Sequence, residues 1–333
     1  MKKEHTRLLL FLLLSFTALG VVLALTVTDE TFTAVRAMSI SSILLMVLVW
    51  CIDYIADSAA LWSLAEASAK GRVSFRRALM LTGLRTFFNT TTPFYSGGAP
   101  AVVYSLRKDG LSYGEGTSVS IVKILSITFW YFLFSACSAF IMIIQALHTG
   151  TYVYIGIGII VLAAGGVYVL LFLSCISPKP LIVMVHLAAR VGRRFLKFSS
   201  HRLERRMLHE AYIVRTCTKS FFLRNRGLFL LNMFFSFLTA SAQVYLLVLI
   251  FQSLGLGREL FLDMLIRSSV LLFLIRFMPT PGGAGFGEGL YVVLFSGIAP
   301  LHLLGVAVLI WRLFLNISKA GIGAVVFSYT SSH

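Results

Sequence analysis

The feature that most constrains this chain is the recurrence of sparsely charged apolar runs about twenty residues long. At that length a helix rising about 1.5 Å per residue crosses a hydrocarbon layer. Six runs, at about 8–28, 38–63, 117–147, 152–176, 228–252 and 302–327, are continuous. None shows the alternation of a half-buried strand, so they read as helices. Hydrophobic residues make up 58% of the 333 and charged residues only 13%, about half the charge of a soluble domain. Mean hydropathy is +0.89. So little charge cannot cover a water-facing surface, which excludes soluble enzymes, fibrous proteins and disordered chains. The expected fold is an all-α polytopic membrane protein. The first run follows Lys2, Lys3 and Arg7 but is longer than a signal-peptide core and lacks a small-residue cleavage site, so it reads as a retained span.

Two further apolar stretches, about 78–105 and 261–299, are broken near their middles. The first break runs Asn89-Thr90-Thr91-Thr92-Pro93-Phe94-Tyr95-Ser96-Gly97-Gly98-Ala99-Pro100. The second runs Pro279-Thr280-Pro281-Gly282-Gly283-Ala284-Gly285. Pro and Gly at that density end a helix. Positive charge sets the orientation. Lys2, Lys3 and Arg7 place the N-terminus in the cytoplasm, and the 29–37 loop with Asp29, Glu30 and Arg36 lies outside. Lys70, Arg72, Arg76 and Arg77 precede the first broken stretch, and Arg107 and Lys108 end it. Both its ends are therefore cytoplasmic, as in a re-entrant hairpin.

The linker 177–227 carries twelve basic residues against Glu204 and Glu210, which makes it cytoplasmic. Its pattern with Phe195, Phe198 and Leu203 fits a helix lying on anionic headgroups, or a linker that only fixes topology. The second broken stretch then starts and ends outside, and the C-terminus returns to the cytoplasm. One integral membrane domain, 1–333, results. Its halves, 1–147 and 148–333, share the order span, span, broken hairpin, span, with opposite orientation. The expectation is about six full spans plus two oppositely oriented re-entrant hairpins in an inverted repeat. The breaks echo each other as Thr92-Pro93…Gly97-Gly98-Ala99 and Thr280-Pro281-Gly282-Gly283-Ala284. Such repeats, with broken helices at the midplane, mark secondary transporters.

The net charge of +16, from 29 Lys and Arg against 13 Asp and Glu, fits basic loops at an anionic leaflet. Nucleic acid is not an expected partner, because no basic segment interleaves aromatics in an RNA-binding pattern. Cys51, Cys137, Cys175 and Cys217 are scattered, and the seven histidines show no HExxH spacing. Neither a metal site nor a cofactor is expected.

Irregular backbone survives in a membrane only when packed in protein or lining a wet cavity. The breaks are therefore the expected site, with open N–H groups at the starts of the following half-helices, near Ala99 and Ala284. Gly97, Gly98, Gly282 and Gly283 would let an anion approach those groups, as at other helix N-termini. Asn89, Thr90, Thr91, Thr92, Tyr95, Ser96 and Thr280 add polar groups, and phosphate suits this chemistry. Arg85, Lys123, Arg276 and Arg312 are deep cations of the matching sign; each would cost about 2.5–3.5 kcal/mol at the centre of an isolated span. Arg85, Lys123 and Lys319 are placed to snorkel to the cytoplasmic surface, whereas Arg312 has no such escape. Folding the second stretch at Gly282-Gly283 also sets Arg276 opposite Glu288, as a structural bridge or a gate. Asp53 and Asp57, at i and i+4, face neighbouring helices as ion-pair partners or a proton relay. Gln145, Asn232, Gln243 and Asn316 read as interhelical hydrogen-bonding groups.

The run Phe88 to Pro100, followed by Tyr104, Arg107-Lys108 and Gly110, resembles the first signature of the lysylphosphatidylglycerol synthase transmembrane (flippase-like) family. Pro281-Gly282-Gly283-Ala284-Gly285-Phe286-Gly287-Glu288 is similar to its second, PGGxGxxE. The resemblance covers nearly the whole chain. It implies a multi-pass protein of a bacterial or archaeal cytoplasmic membrane, associated with moving lipids between leaflets. In the bifunctional relatives the module flips lysyl-phosphatidylglycerol made by a soluble aminoacyl transferase domain. No such domain precedes His333, so lysine transfer from tRNA is not expected. By resemblance Glu288 and the Gly-Gly pairs are motif positions. The leading expectation is a flippase-like transporter of an anionic or lysyl-modified phospholipid or a polyprenyl-phosphate lipid. The rivals are an intramembrane transferase using Glu288 or Asp53/Asp57, and an ion-coupled transporter of a small anion. A homo-oligomer or a separate lipid-modifying enzyme is compatible with either class.

Overall fold

The computed structural model describes residues 29–69, 73–149, 152–176 and 225–331, with positions 216 and 221. The expected first span at 8–28 and nearly all of the basic linker 177–227 lie outside the described residues. The helices are α1 (Asp29–Arg36), α2 (Ile40–Ala69), α3 (Phe75–Thr91), α4 (Gly98–Lys108), α5 (Tyr113–Thr149), α6 (Tyr152–Ile176), α7 (Arg226–Ser253), α8 (Phe261–Leu274), α9 (Phe286–Phe295), α10 (Leu301–Arg312) and α11 (Ser318–Ser331). A 3₁₀ turn, Ile275–Phe277, extends α8, and a π-helical turn, Leu313–Ile317, joins α10 to α11. Four rods are long and apolar enough to cross a membrane: Ile40–Ser68, Tyr113–Ile144, Arg226–Ser253 and Leu301–Ser328. A shorter apolar stretch, Tyr154–Leu170, lies within α6. The 29–37 segment, expected as a loop, is largely the helix α1. Its first residues are Asp29 and Glu30 and its last turn holds Arg36, a charge order that suits the helix dipole.

The spans are apolar on the outside and polar within. On α2, Leu44, Leu48, Ile52 and Ile55 are exposed at helical spacing, while Met46, Val49, Asp53, Ala56, Asp57, Ala60 and Leu64 are buried. A lipid-facing stripe and a protein-facing stripe thus share one helix. α2 packs along α7, α3 along α11, and α5 along α8. Exchanging the first half for the second leaves this set of pairings unchanged. The α3–α11 crossing depends on Gly83 and Gly323. A Cβ on Gly323 would stand 2.1 Å from the carbonyl oxygen of Gly83, a backbone atom that cannot move aside. Small residues at such crossings let membrane helices approach closely.

Both broken segments double back. α4 packs on α3, and Arg77 near the start of α3 pairs with Asp109 just after α4 at 2.9 Å. α9 packs on α8, and Arg267 Nη1 donates to the Leu294 carbonyl at 2.5 Å.

Gly323→Ala should therefore destabilise the purified protein by about 1–3 kcal/mol, the usual penalty of overpacking, read as a lower melting temperature. Gly321→Ala, with open space around its Cβ position, should leave the melting temperature unchanged.

Candidate functional site

The first two residues after the proline of each break are left-handed. Phe94 and Tyr95 have φ of 56° and 52°, and Gly282 and Gly283 have 57° and 70°. The fourth residue after each proline, Gly97 or Gly285, caps the next helix. The equivalent of Gly282-Gly283 is thus Phe94-Tyr95, and the sequence echo that matched Gly97-Gly98-Ala99 to Gly282-Gly283-Ala284 is out of register by three residues. Left-handed backbone disfavours side chains by about 1–2 kcal/mol per residue. Phe94 and Tyr95 hold it because the opposite break secures them. Pro93 and Pro281 form an antiparallel bridge, the Phe94 N–H donates to the Met278 carbonyl at 3.2 Å, and the Tyr95 hydroxyl donates to the Gly282 carbonyl at 2.9 Å.

The expectation of open N–H groups after the breaks is corrected at several positions. The Gly97 N–H donates to Thr92 Oγ1 at 2.7 Å, and the Gly98 N–H to Asn89 Oδ1 at 2.9 Å. The Gly283 and Ala284 N–H groups close local turns on Thr280 and Pro281. The Gly285 N–H donates to Glu288 Oε2 at 2.8 Å. The turn chemistry of the breaks satisfies their own backbone first. Ser96 is exposed, with its hydroxyl turned onto the Pro93 carbonyl, whereas the Thr280 hydroxyl oxygen is buried without a hydrogen-bond partner.

Glu288 pairs with Arg312, not with Arg276. Arg312 Nη2 lies 2.9 Å from Glu288 Oε1, and its two terminal nitrogens donate to the Gly282 and Gly283 carbonyls at 2.5 and 3.1 Å. One guanidinium on the last span straps the whole second break. Arg312 therefore needs no anionic guest to explain its depth.

The remaining cations gather around one cavity beside the breaks. A cavity of about 100 Å³ is lined by Asp57 on α2, Arg85, Asn89 and Thr90 on α3, Tyr95 on the first break, Gln243 on α7, Arg276 on the 3₁₀ turn, Asn316 on the π turn and Lys319 on α11. Arg85 and Lys123 both pair with Asp57, the latter at 3.0 Å. Lys319 pairs with Asp53, which also accepts from Gln243 Nε2 at 2.9 Å. Lys123 and Lys319 are both buried, so neither snorkels: α2 supplies a carboxylate one turn apart for each. Arg276 differs. Its guanidinium lies 4.2 Å over the Tyr131 ring. No carboxylate among the described residues pairs with it, and its Nε is buried without a hydrogen-bond partner.

Of the expected site residues, Arg85, Asn89 and Arg276 line the cavity and Lys123 stands behind it on Asp57. Thr92, Ser96, Gly97, Gly98, Thr280, Gly282, Gly283, Glu288 and Arg312 shape the breaks instead. Asn316 and Gln243, expected as interhelical bridges, line the cavity as well. Lys319 was the residue least visible from the sequence, although it stands two turns after Arg312 and so on the same inward face. Among the described residues no group of three His, Cys, Asp or Glu side chains could hold a metal ion.

Residues 8–323 match the family described as the lysylphosphatidylglycerol synthase TM region. The chain belongs to this family. The match is to the synthases' membrane region, distinct from their soluble aminoacyl transferase domain. No curated protein matches the chain. This member of the family is a multi-pass bundle whose two breaks touch beside a cavity lined by several cations.

Glu288→Gln would leave the Arg312 guanidinium buried without its counter-charge. The expected loss is about 3–5 kcal/mol, as for other buried pairs broken on one side, measured by thermal unfolding. Adding Arg312→Met to that variant should recover part of the loss, because the unpaired charge is removed.

Proposed function

We propose that this protein is a flippase-like transporter that moves an anionic, phosphate-bearing lipid between the leaflets of a bacterial or archaeal cytoplasmic membrane. The observation that carries the reading is Arg276, a cation with no carboxylate partner among the described residues, on the wall of a polar cavity beside the two breaks. An unneutralised guanidinium at that depth is expensive unless a guest supplies the charge. Arg85, Asn89 and Lys319 would take the remaining phosphate oxygens, with Lys123 and Asp57 fixing Arg85. The acyl or polyprenyl tails stay in hydrocarbon.

Support for two re-entrant hairpins in an inverted repeat comes from three features. The helix pairings survive exchange of the halves, the segments fold back on themselves, and each break has two left-handed residues directly after its proline. The positive-inside charge pattern puts both termini in the cytoplasm. In this reading the hairpins enter from opposite leaflets, and the breaks part on one side and then the other to expose the cavity in turn. Membership in a lipid-handling membrane family agrees with such a role.

Protein reconstituted into vesicles should accelerate the transbilayer movement of a fluorescent anionic phospholipid. Arg276→Gln should slow it about tenfold or more, since a hydrogen bond to a charged group contributes about 1.5–3 kcal/mol, and Arg276→Lys should fall between. Equal rates with and without protein would overturn the reading.

A further inference from the structure

We infer that the transported lipid ends in a phosphomonoester, as a polyprenyl phosphate does, rather than in a phosphodiester or a lysyl-modified headgroup. This rests on the lipid-transport reading and narrows it.

Among the described residues four formal cations, Arg85, Lys123, Arg276 and Lys319, stand in the cluster against two carboxylates, Asp53 and Asp57. The excess is two positive charges. The Glu288–Arg312 pair behind the second break is neutral and changes nothing. A phosphomonoester carries about −1.5 to −2 at neutral pH, which cancels the excess. A phosphodiester carries a single negative charge and leaves one cation uncompensated. A lysyl ester's ammonium groups outweigh its phosphate and add to the excess. In a poorly solvated interior that mismatch is heavily penalised.

Space points the same way. The cavity of about 100 Å³ is well below the ~300–1,000 Å³ that encloses a drug-sized ligand. A terminal phosphate is compact; a glycerol esterified with lysine is not. The polar atoms complete the match. A lysyl ammonium needs acceptors, but both carboxylates are already engaged, Asp57 by Arg85 and Lys123, and Asp53 by Lys319 and Gln243. What is unspent is donor capacity, in the buried Nε atoms of Arg85 and Arg276. A phosphate bearing three terminal oxygens accepts from such donors; an ammonium cannot.

Binding to the purified full-length protein in detergent, followed by titration calorimetry, tests this with four probes: farnesyl monophosphate, phosphatidylglycerol, lysyl-phosphatidylglycerol and inorganic phosphate. Farnesyl monophosphate should bind at least tenfold tighter than phosphatidylglycerol, and lysyl-phosphatidylglycerol weakest of the lipids. Asn316→Asp, which places a carboxylate on the cavity wall and lowers the excess to one charge, should shrink the monoester-over-diester preference about tenfold. Arg276→Gln lowers the same excess by deletion and should shrink it too, which covers a failure of Asn316→Asp to fold. Lysyl-phosphatidylglycerol or phosphatidylglycerol binding as tightly as farnesyl monophosphate would overturn the inference while leaving lipid transport standing. So would an unchanged preference in both variants. Binding of no lipid at all, or of inorganic phosphate as tightly as farnesyl monophosphate, would overturn the lipid reading itself.

Discussion

Two stretches of irregular backbone meet inside a membrane-spanning bundle, each closed largely by its own turns and tied to the other by a bridge and a few hydrogen bonds. An unpaired peptide group in an apolar medium is penalised by several kcal/mol. Here the Phe94 N–H reaches the Met278 carbonyl, the Tyr95 hydroxyl reaches Gly282, and Arg312 covers the carbonyls of Gly282 and Gly283. The breaks touch through these few bonds, α3 packs against α11 and α8 against α5, and the cavity lies beside the contact.

Charge is arranged around that junction in two tiers. Behind the second break, Glu288 and Arg312 pair with each other and hold the Gly282, Gly283 and Gly285 backbone. Beside the breaks, α2 contributes Asp53 and Asp57 from one face, and each carboxylate restrains cations from other helices. Among the described residues more cations than carboxylates stand in the cluster, and Arg276 lies over the Tyr131 ring without a carboxylate partner. In the proposed reading, this paired frame with its excess of two positive charges receives an anion. The π turn at Leu313–Ile317, which carries Asn316 to the cavity wall, fits the tendency of such turns to mark functional positions.

How much of this was legible in the sequence depended on how local the cause was. The long apolar rods and the two Pro/Gly breaks are local, and α2, α5, α7 and α10–α11 lie where the hydropathy places them. The Asp53/Asp57 spacing pointed inward because i and i+4 share a helix face. Partner choice was not legible. Glu288 and Arg276 stand opposite one another about the turn, yet the carboxylate turns to Arg312, thirty positions from Gly282 along the chain and adjacent only in space. The breaks misled for a related reason. Matching Gly-Gly to Gly-Gly ignored that Phe94 and Tyr95 can hold left-handed backbone when a neighbouring segment secures it, which no single-segment preference encodes.

The account stands on the two breaks touching and then separating as the lipid passes. The most direct measurement is thiol cross-linking of Phe94→Cys with Met278→Cys, after Cys51, Cys137, Cys175 and Cys217 are replaced by serine. A short bifunctional reagent should join the pair in membranes in high yield, arrest lipid movement in reconstituted vesicles, and release it when the link is cleaved. Failure to cross-link, or lipid movement unchanged by the link, would contradict it.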